Sequence, residues 1–408
     1  MQAEAAQITA TERISLGSQG RRLAGPALAV GLAGLAAGFG LGWLRDDGLK
    51  HFFHSYLLNY CFFLSLSLGG MFFVLIQHVT RAGWSVSVRR LAEILAANIF
   101  WLTVLVLPLV VPVLLGNSAL YRWNDPAAVA GSELLQVKTP YLNPAFFGVR
   151  ALVYFLVWWC LGRYYLGRSV QQDVSGDPEL TIRMERRSPA ALILFAVTVT
   201  FAAFDWLMSL EPEWFSTIYG VYFFSGAVVG GLATLILAAI GLQAAGYLRD
   251  SITTEHYHDL GKLLFAFVVF WGYIAFSQYM LIWYANIPEE TTWYLARQSG
   301  PWVWLSLVLL FSHLLIPFFG LLSREAKRRK AILGFWAAWL LAAHWLDLYY
   351  LVMPSLCGGR LPLGAIDACL LVGVGGIYAA GVFRVASACA LVPQRDPRLA
   401  ESLAFENI

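Results

Sequence analysis

The 408-residue chain is 59% hydrophobic and 13% charged, with a mean hydropathy of +0.64 and a formal charge of +3 from 28 Lys and Arg against 25 Asp and Glu. This composition is that of a membrane protein, and it excludes a nucleic-acid-binding surface or an acidic disordered tail as the basis of function. The five cysteines stand singly (Cys61, Cys160, Cys357, Cys369, Cys389), without the spacings of zinc, iron–sulfur or covalent haem sites, so neither a metal site nor a redox centre is expected in the chain.

A polar leader over 1–22 precedes the first apolar run, and no small-residue cleavage site follows that run, which therefore reads as a retained helix. A helix needs about 20 apolar residues to cross about 30 Å of hydrocarbon. Ten stretches qualify: 23–44, 52–79, 91–115, 145–166, 190–210, 215–242, 263–284, 302–322, 332–353 and 363–383, with a tail over 384–408. Backbone groups in lipid must be paired internally, and nothing alternates with the period of barrel strands, so an all-α membrane protein is expected.

Lys and Arg are retained on the cytoplasmic side of a membrane. Twenty of the 28 fall in the N-terminal leader, the loops after even-numbered spans and the C-terminal tail, and six fall in the opposite loops. Both termini are thus expected in the cytoplasm. The loops around 121–141 and 287–300 would then face the exterior, where their Trp, Tyr, Glu and Pro suit an interfacial shelf or a partner's docking surface.

The chain also matches itself. At an offset of 161, Ser55 falls on Ser216, Phe62-Phe63 on Phe223-Phe224, and Gly69-Gly70 on Gly230-Gly231. At an offset of 142, Asp205 falls on Asp347 and Pro212 on Pro354. The economical reading is two four-helix bundles, 52–210 and 215–353, related as parallel repeats, with the first span (23–44) and the tenth (363–383) flanking them.

Ionisable groups at membrane depth are costly and usually face the interior, where they serve protons, ions or a ligand. At 1.5 Å per residue, Asp205 and Asp347 both lie about 10 Å below the outer surface, with His344 about 15 Å deep and one turn below Asp347 on the same face. A His344–Asp347 hydrogen bond, direct or through one water, is expected. His313 comes out at a similar depth, and Tyr273 and Gln278 add polar groups in the same half. Near the other surface, Glu93 and Arg163 fall at equal depth on adjacent spans and are expected to pair, with Asn98 above them. These nine residues are the proton-relay candidates. The alternative for Glu93 and Arg163 is a structural pair, and for His313 a satisfied core histidine.

Three segments carry a resemblance: FDWLMSLEPEWFSTIYGVYFFSG from Phe204, FSQYMLIWYANIPEE from Phe276 and HWLDLYYLVMP from His344. With them the chain resembles the F-type membrane subunit of bacterial alternative complex III, a quinol:electron-acceptor oxidoreductase, within the polysulfide-reductase/NrfD-like family. The likeness runs over nearly the whole chain. It implies ten helices in two four-helix bundles in a bacterial inner membrane. It implies partners as well: a homologous second membrane subunit, an iron–sulfur subunit on the periplasmic side, and multi-haem c-type cytochrome subunits. Haem c and iron–sulfur clusters would sit only in those partners, and this chain would contribute quinol or menaquinol contacts or proton carriers, the matching positions being Asp205, Gln278, His344 and Asp347. An F-type identity points to a proton-conducting or structural role rather than to the main quinol site. Two other readings stand beside it: a structural anchor for a peripheral redox arm, and a secondary transporter, which parallel repeats permit although Pro108, Pro112 and Pro317 do not fall in corresponding places.

Overall fold

A computed structural model describes residues 12–357 and 359–407. Among these residues the ordered elements are helices, and no strand occurs. Ten helical segments are long and apolar enough to cross a membrane: α1 (Gly17–Trp43), α2 (Lys50–Val79), α3 (Gly83–Leu114), α4 (Pro144–Ser175), α5 (Glu179–Leu210), α6 (Tyr219–Ala244), α7 (Thr254–Ala285), α8 (Trp302–Leu322), α9 (Lys330–Ser355) and α10 (Ala365–Ala386). Each overlaps one expected span. Several run further at the end that carries residues 12 and 407, called the basic end below.

The extensions have a simple origin. Hydropathy senses only the stretch that sits in hydrocarbon, whereas the helix continues while its residues favour it, and the Arg, Gln and Glu beyond the apolar runs of α4 and α5 are good helix formers. α4 stops only at Gly176, whose φ of +67° is the left-handed cap that closes a helix and that glycine adopts without strain. Two spans are interrupted. α3 breaks at Asn98 and again at Val106, just before Pro108, which has no N–H for the carbonyl one turn back. α8 carries a π-helical turn over Leu310–Leu315, ahead of Pro317, which leaves the His313 carbonyl without its usual donor.

The packing order follows from burial. Within their most apolar windows α2 is 83% buried and α6 72%, against 17% for α1, so α2 and α6 form the centre and α1 the edge. α2, α3, α4 and α5 each neighbour the next and close back on α2; α6, α7, α8 and α9 do the same. α6 joins the two groups by lying along α2, while α1 packs on α10, which itself rests on α2 and α3. Helices gain little from the hydrophobic effect when lipid is the alternative neighbour, so small residues that let backbones approach become decisive. On the outer seam Gly31 and Gly34 of α1 meet Gly376 and Gly373 of α10. At the centre the glycines aligned by the 161-residue offset meet one another: a Cβ on Gly69 would stand 2.2 Å from the Ala227 carbonyl oxygen, and one on Gly231 would stand 2.6 Å from the Gly69 Cα.

Neither end is loose. At the basic end Arg89 bonds Glu93 (3.4 Å) and Asp396 (2.5 Å), while Arg90 bonds Glu93 (3.0 Å) and Asp173 (2.9 Å). Ser402 Oγ meets Ser87 and His256, so the tail expected over 384–408 is stitched beneath α3 and α7. Of the leader expected over 1–22, residues 1–11 lie outside the described residues, and from Gly17 onward it is already α1. At the opposite end, the loop end, buried Arg297 donates to Glu211 (2.9 Å) and to the carbonyls of Tyr350 and Leu351, with its guanidinium 3.6 Å from the centre of the Trp293 ring.

The α2–α6 crossing yields a sharp expectation. Gly69→Val places branched carbons where backbone already stands, so the helices must separate, at a cost of about 1–3 kcal/mol or more. Thermal unfolding in detergent should register a marked loss, whereas Gly167→Val, with nothing within 4 Å of the new Cβ, should leave the midpoint nearly unchanged.

Candidate functional site

His344 and Asp347 stand three residues apart on α9, a spacing that puts both on one helical face. Both are buried. Room for the imidazole comes from α6, where a Cβ on Gly226 would lie 2.9 Å from His344 Cε1 and one on Gly230 would lie 2.9 Å from its Cδ2. From α2, Ser65 Oγ reaches His344 Nε2 at 2.8 Å. The Asp347 carboxylate accepts from the Tyr222 hydroxyl of α6 at 2.5 Å and from Trp271 Nε1 of α7 at 3.1 Å. From α8, the π turn presents His313, whose ring stacks on Trp271 with centroids 3.9 Å apart.

His313, His344 and Asp347 thereby bring one ligand-type atom each within 4.8 Å of the others, all of it buried. Of the two forms expected for the His344–Asp347 hydrogen bond, the direct one is not made, while the two side chains stay within reach of a bridging water. Tyr222 and Trp271 take the carboxylate oxygens, Ser65 takes one ring nitrogen, and His344 Nδ1 faces no partner. Both nitrogens of His313 are also without a hydrogen bond to protein among the described residues. Two imidazoles and a carboxylate are donors that suit a transition metal, although two of them are already engaged. No lysine or arginine bridges Asp347 among the described residues, so imidazoles and hydroxyl or indole dipoles alone face it.

A cavity of about 550 Å³ adjoins this cluster. Tyr222, Trp271, Tyr294, Ser306 and Tyr350 are among its walls, which are chiefly apolar. Two of its wall residues are therefore the donors to Asp347. Burial pushes the Tyr294 phenol at the loop-end margin up from its ordinary value, so that group remains a neutral hydroxyl there.

The other sequence candidates fall elsewhere. Asp205, at the equivalent place on α5, is fully compensated: Arg150 of α4 donates through Nε at 2.7 Å and Nη2 at 3.0 Å, and the Tyr154 hydroxyl at 2.6 Å. The rings of Tyr141 and Phe146 flank the guanidinium at 3.9 and 4.4 Å. Burial, and after it the Asp205 charge, pushes the Tyr141 phenol upward. Gln278 is buried but lies towards the loop end, bonded to Ser216 and Tyr294 at 3.2 Å each. Tyr273 is 64% exposed on the outer face of α7 and belongs to no interior network. Asn98 is structural: its Nδ2 donates to the Tyr378 carbonyl of α10 at 3.1 Å, where α3 breaks.

The Glu93–Arg163 pair does not form. Glu93 is neutralised by Arg89 and Arg90, one turn back on its own helix, and Arg163 points outward from α4. Glu93 is buried while Arg163 is exposed, so the two side chains leave their helices in different directions.

Sequence reasoning passed over Arg150, Tyr222, Trp271 and Ser65. Arg150 had a usable signal, being a cation deep inside an apolar span next in sequence to the one whose Asp205 needed a counter-ion. Gly226 and Gly230, four apart, also mark a helix face against which a ring can sit.

No family model matches the chain, and no curated protein is similar to it in sequence.

The Asp205 pair can be tested by its asymmetry. Removing one partner of a buried ion pair strands the other charge, at about 3–5 kcal/mol, whereas an apolar pair of similar volume is close to neutral. Arg150→Met alone should lower the thermal midpoint strongly, and Arg150→Met with Asp205→Leu should recover much of the loss in the same unfolding assay.

Proposed function

We propose that this chain is a membrane subunit, without a redox cofactor of its own, of a quinol:electron-acceptor oxidoreductase. In that reading it lies in a bacterial inner membrane with both termini cytoplasmic. It assembles with a homologous membrane subunit, a periplasmic iron–sulfur subunit and multi-haem c-type cytochrome subunits, which carry the electrons. The chain's own contribution is a proton-relay cluster beside a surface for the quinol ring.

One observation carries the reading. Asp347, buried and without a cationic partner among the described residues, is held by Tyr222 and Trp271, which are also walls of an apolar aromatic cavity. Cavities of a few hundred Å³ with apolar walls and few convergent polar groups are where flat, hydrophobic ligands bind. A proton acceptor must lie within hydrogen-bond reach of its donor or be linked to it by one intervening group. Tyr222 is such a group, since its hydroxyl can receive a proton on one side as it passes one to the carboxylate on the other. His313 and His344 then offer further stations towards the bilayer midplane. Trp271, stacked on His313 and donating to Asp347, fixes the relative placement of these groups and keeps bulk water from the cluster.

Asp205 drops out of the relay in this account. A carboxylate gripped bidentately by arginine is an anchor, and moving a proton through it would break three hydrogen bonds. A transporter of the broken-helix type draws no support, because the interrupted spans are α3 and α8, which do not correspond between the two halves.

The test is Asp347→Asn, which keeps shape and hydrogen bonding but removes titration, in the whole complex in sealed vesicles. Quinol-driven haem reduction should slow by roughly a hundredfold, or the number of protons released per electron should fall, with haem content and assembly intact. His313→Gln should act in the same direction. Native rate and native stoichiometry in a fully assembled Asp347→Asn complex would leave the anchor role in place of the relay.

A further inference from the structure

Arg163, once freed from its expected partner, belongs to a different feature. On the lipid-facing side, where α4 passes the broken middle of α3 and the last turn of α10, a groove of about 740 Å³ is lined by Phe100, Trp101, Trp159, Arg163 and Arg384. Arg163 and Arg384 are both exposed, and among the described residues neither side chain hydrogen-bonds or pairs with an acid. Nearby Arg90 is bonded to Glu93 and Asp173, so the basic end does not lack acids in general.

The heights of the two cations agree. Arg163 is nineteen residues past the start of α4 at Pro144, and Arg384 is nineteen past the start of α10 at Ala365. At 1.5 Å per residue the Cα of each arginine stands about 29 Å from the loop end of its helix. That is about the thickness of the hydrocarbon core, so both lie at its boundary with the headgroups. The aromatic walls are partly bare, with Phe100 53% and Trp159 41% exposed, and Gly167 adds no side chain to narrow the groove.

We propose that this groove is a binding site for an anionic phospholipid, with Arg163 and Arg384 clasping the headgroup phosphate and Phe100, Trp101 and Trp159 receiving the acyl chains. Paired cations at the headgroup level above an apolar, aromatic wall match a phosphodiester above hydrocarbon tails. Arginine suits the task because its planar fork meets phosphate oxygens through two hydrogen bonds. A soluble anion would have no use for the aromatic floor, and an apolar protein helix would leave two guanidinium groups without counter-ions. The site is independent of the relay cluster, since it lies on α3, α4 and α10 rather than on α6 to α9.

The experiment compares the native full-length chain with Arg163→Gln/Arg384→Gln and Arg163→Lys/Arg384→Lys. Each is delipidated and returned to nanodiscs of phosphatidylcholine with or without phosphatidylglycerol, and retained lipid is counted by native mass spectrometry. The native chain should hold phosphatidylglycerol in preference to phosphatidylcholine, and the glutamine pair should bind it roughly tenfold or more weakly. The lysine pair should keep most of the preference, and inorganic phosphate at millimolar levels should not compete.

Three results overturn the site: no preference by the native chain, equal retention by the glutamine pair, or displacement by free phosphate. If the glutamine pair fails to fold, the native chain's choice between the two lipids decides alone. A photo-crosslinker replacing Trp159 should label lipid in native membranes; labelling of protein instead would make this face a subunit contact.

Discussion

The functional cluster hangs from the crossing of α2 and α6, where Gly69 lies against the backbone of Ala227 and Gly231. Where α2 and α6 touch backbone to backbone, the next turn of α2 brings Ser65 across to His344, while the adjoining turns of α6 carry Gly226 and Gly230 beneath the same imidazole. Larger residues at the crossing would move α2 outward and take Ser65 out of reach. In a bilayer this seam cannot rely on expelling water, because lipid is as apolar as the helices, so the van der Waals fit of small residues must hold it. The same device recurs at lower stakes where α1 meets α10.

Around that seam the molecule treats two similar carboxylates differently. Asp205 and Asp347 stand at matching places near the loop ends of α5 and α9. For Asp205 the fourth helix supplies Arg150, and charge meets charge. For Asp347 the eighth helix supplies His313, presented by a π turn ahead of Pro317, and no lysine or arginine among the described residues reaches it. A guanidinium is always charged, whereas an imidazole can be neutral or cationic. The first arrangement is a permanent cation against a carboxylate and the second is not, and this difference suits an anchor in one half and proton chemistry in the other.

Much of the fold was legible because hydrocarbon imposes strong rules. Ten apolar runs of sufficient length became ten helices, their largest displacements lying where polar residues prolong α4, α5 and α7 beyond the apolar run. Depth was legible too, since the rise per residue is fixed, and the matching heights of Asp205 and Asp347 follow from it. Direction around the helix axis was not. A span that is apolar on every side gives little sign of which face meets protein and which meets lipid. Two expectations failed for that reason: Glu93 is paired within its own helix while Arg163 is exposed, and Tyr273 is exposed rather than interior. Gln278, on the same helix as Tyr273, is buried and bonds the loop-end residues Ser216 and Tyr294. His344 and Asp347 succeeded as neighbours because helical spacing settles the direction of one residue relative to another on the same helix. Even there, the partners that displaced their mutual bond came from α2, α6 and α7, beyond the reach of local spacing.

Direction also decides the cost of the cluster. A buried polar atom without a partner costs about 1–3 kcal/mol, and the His313 nitrogens together with His344 Nδ1 make three such atoms in one place. Leucine at 313 would pack against Trp271 without that cost. A structural role alone accounts poorly for such an arrangement, since an anchor gains nothing from unpaired imidazoles beside an uncompensated carboxylate. The Arg150–Asp205 pair is the internal control. It shows that a carboxylate near the loop end of its helix can be matched by a cation from the neighbouring helix, so the lack of one at Asp347, beside the unpartnered nitrogens of His313 and His344, is not a general consequence of placing an aspartate there.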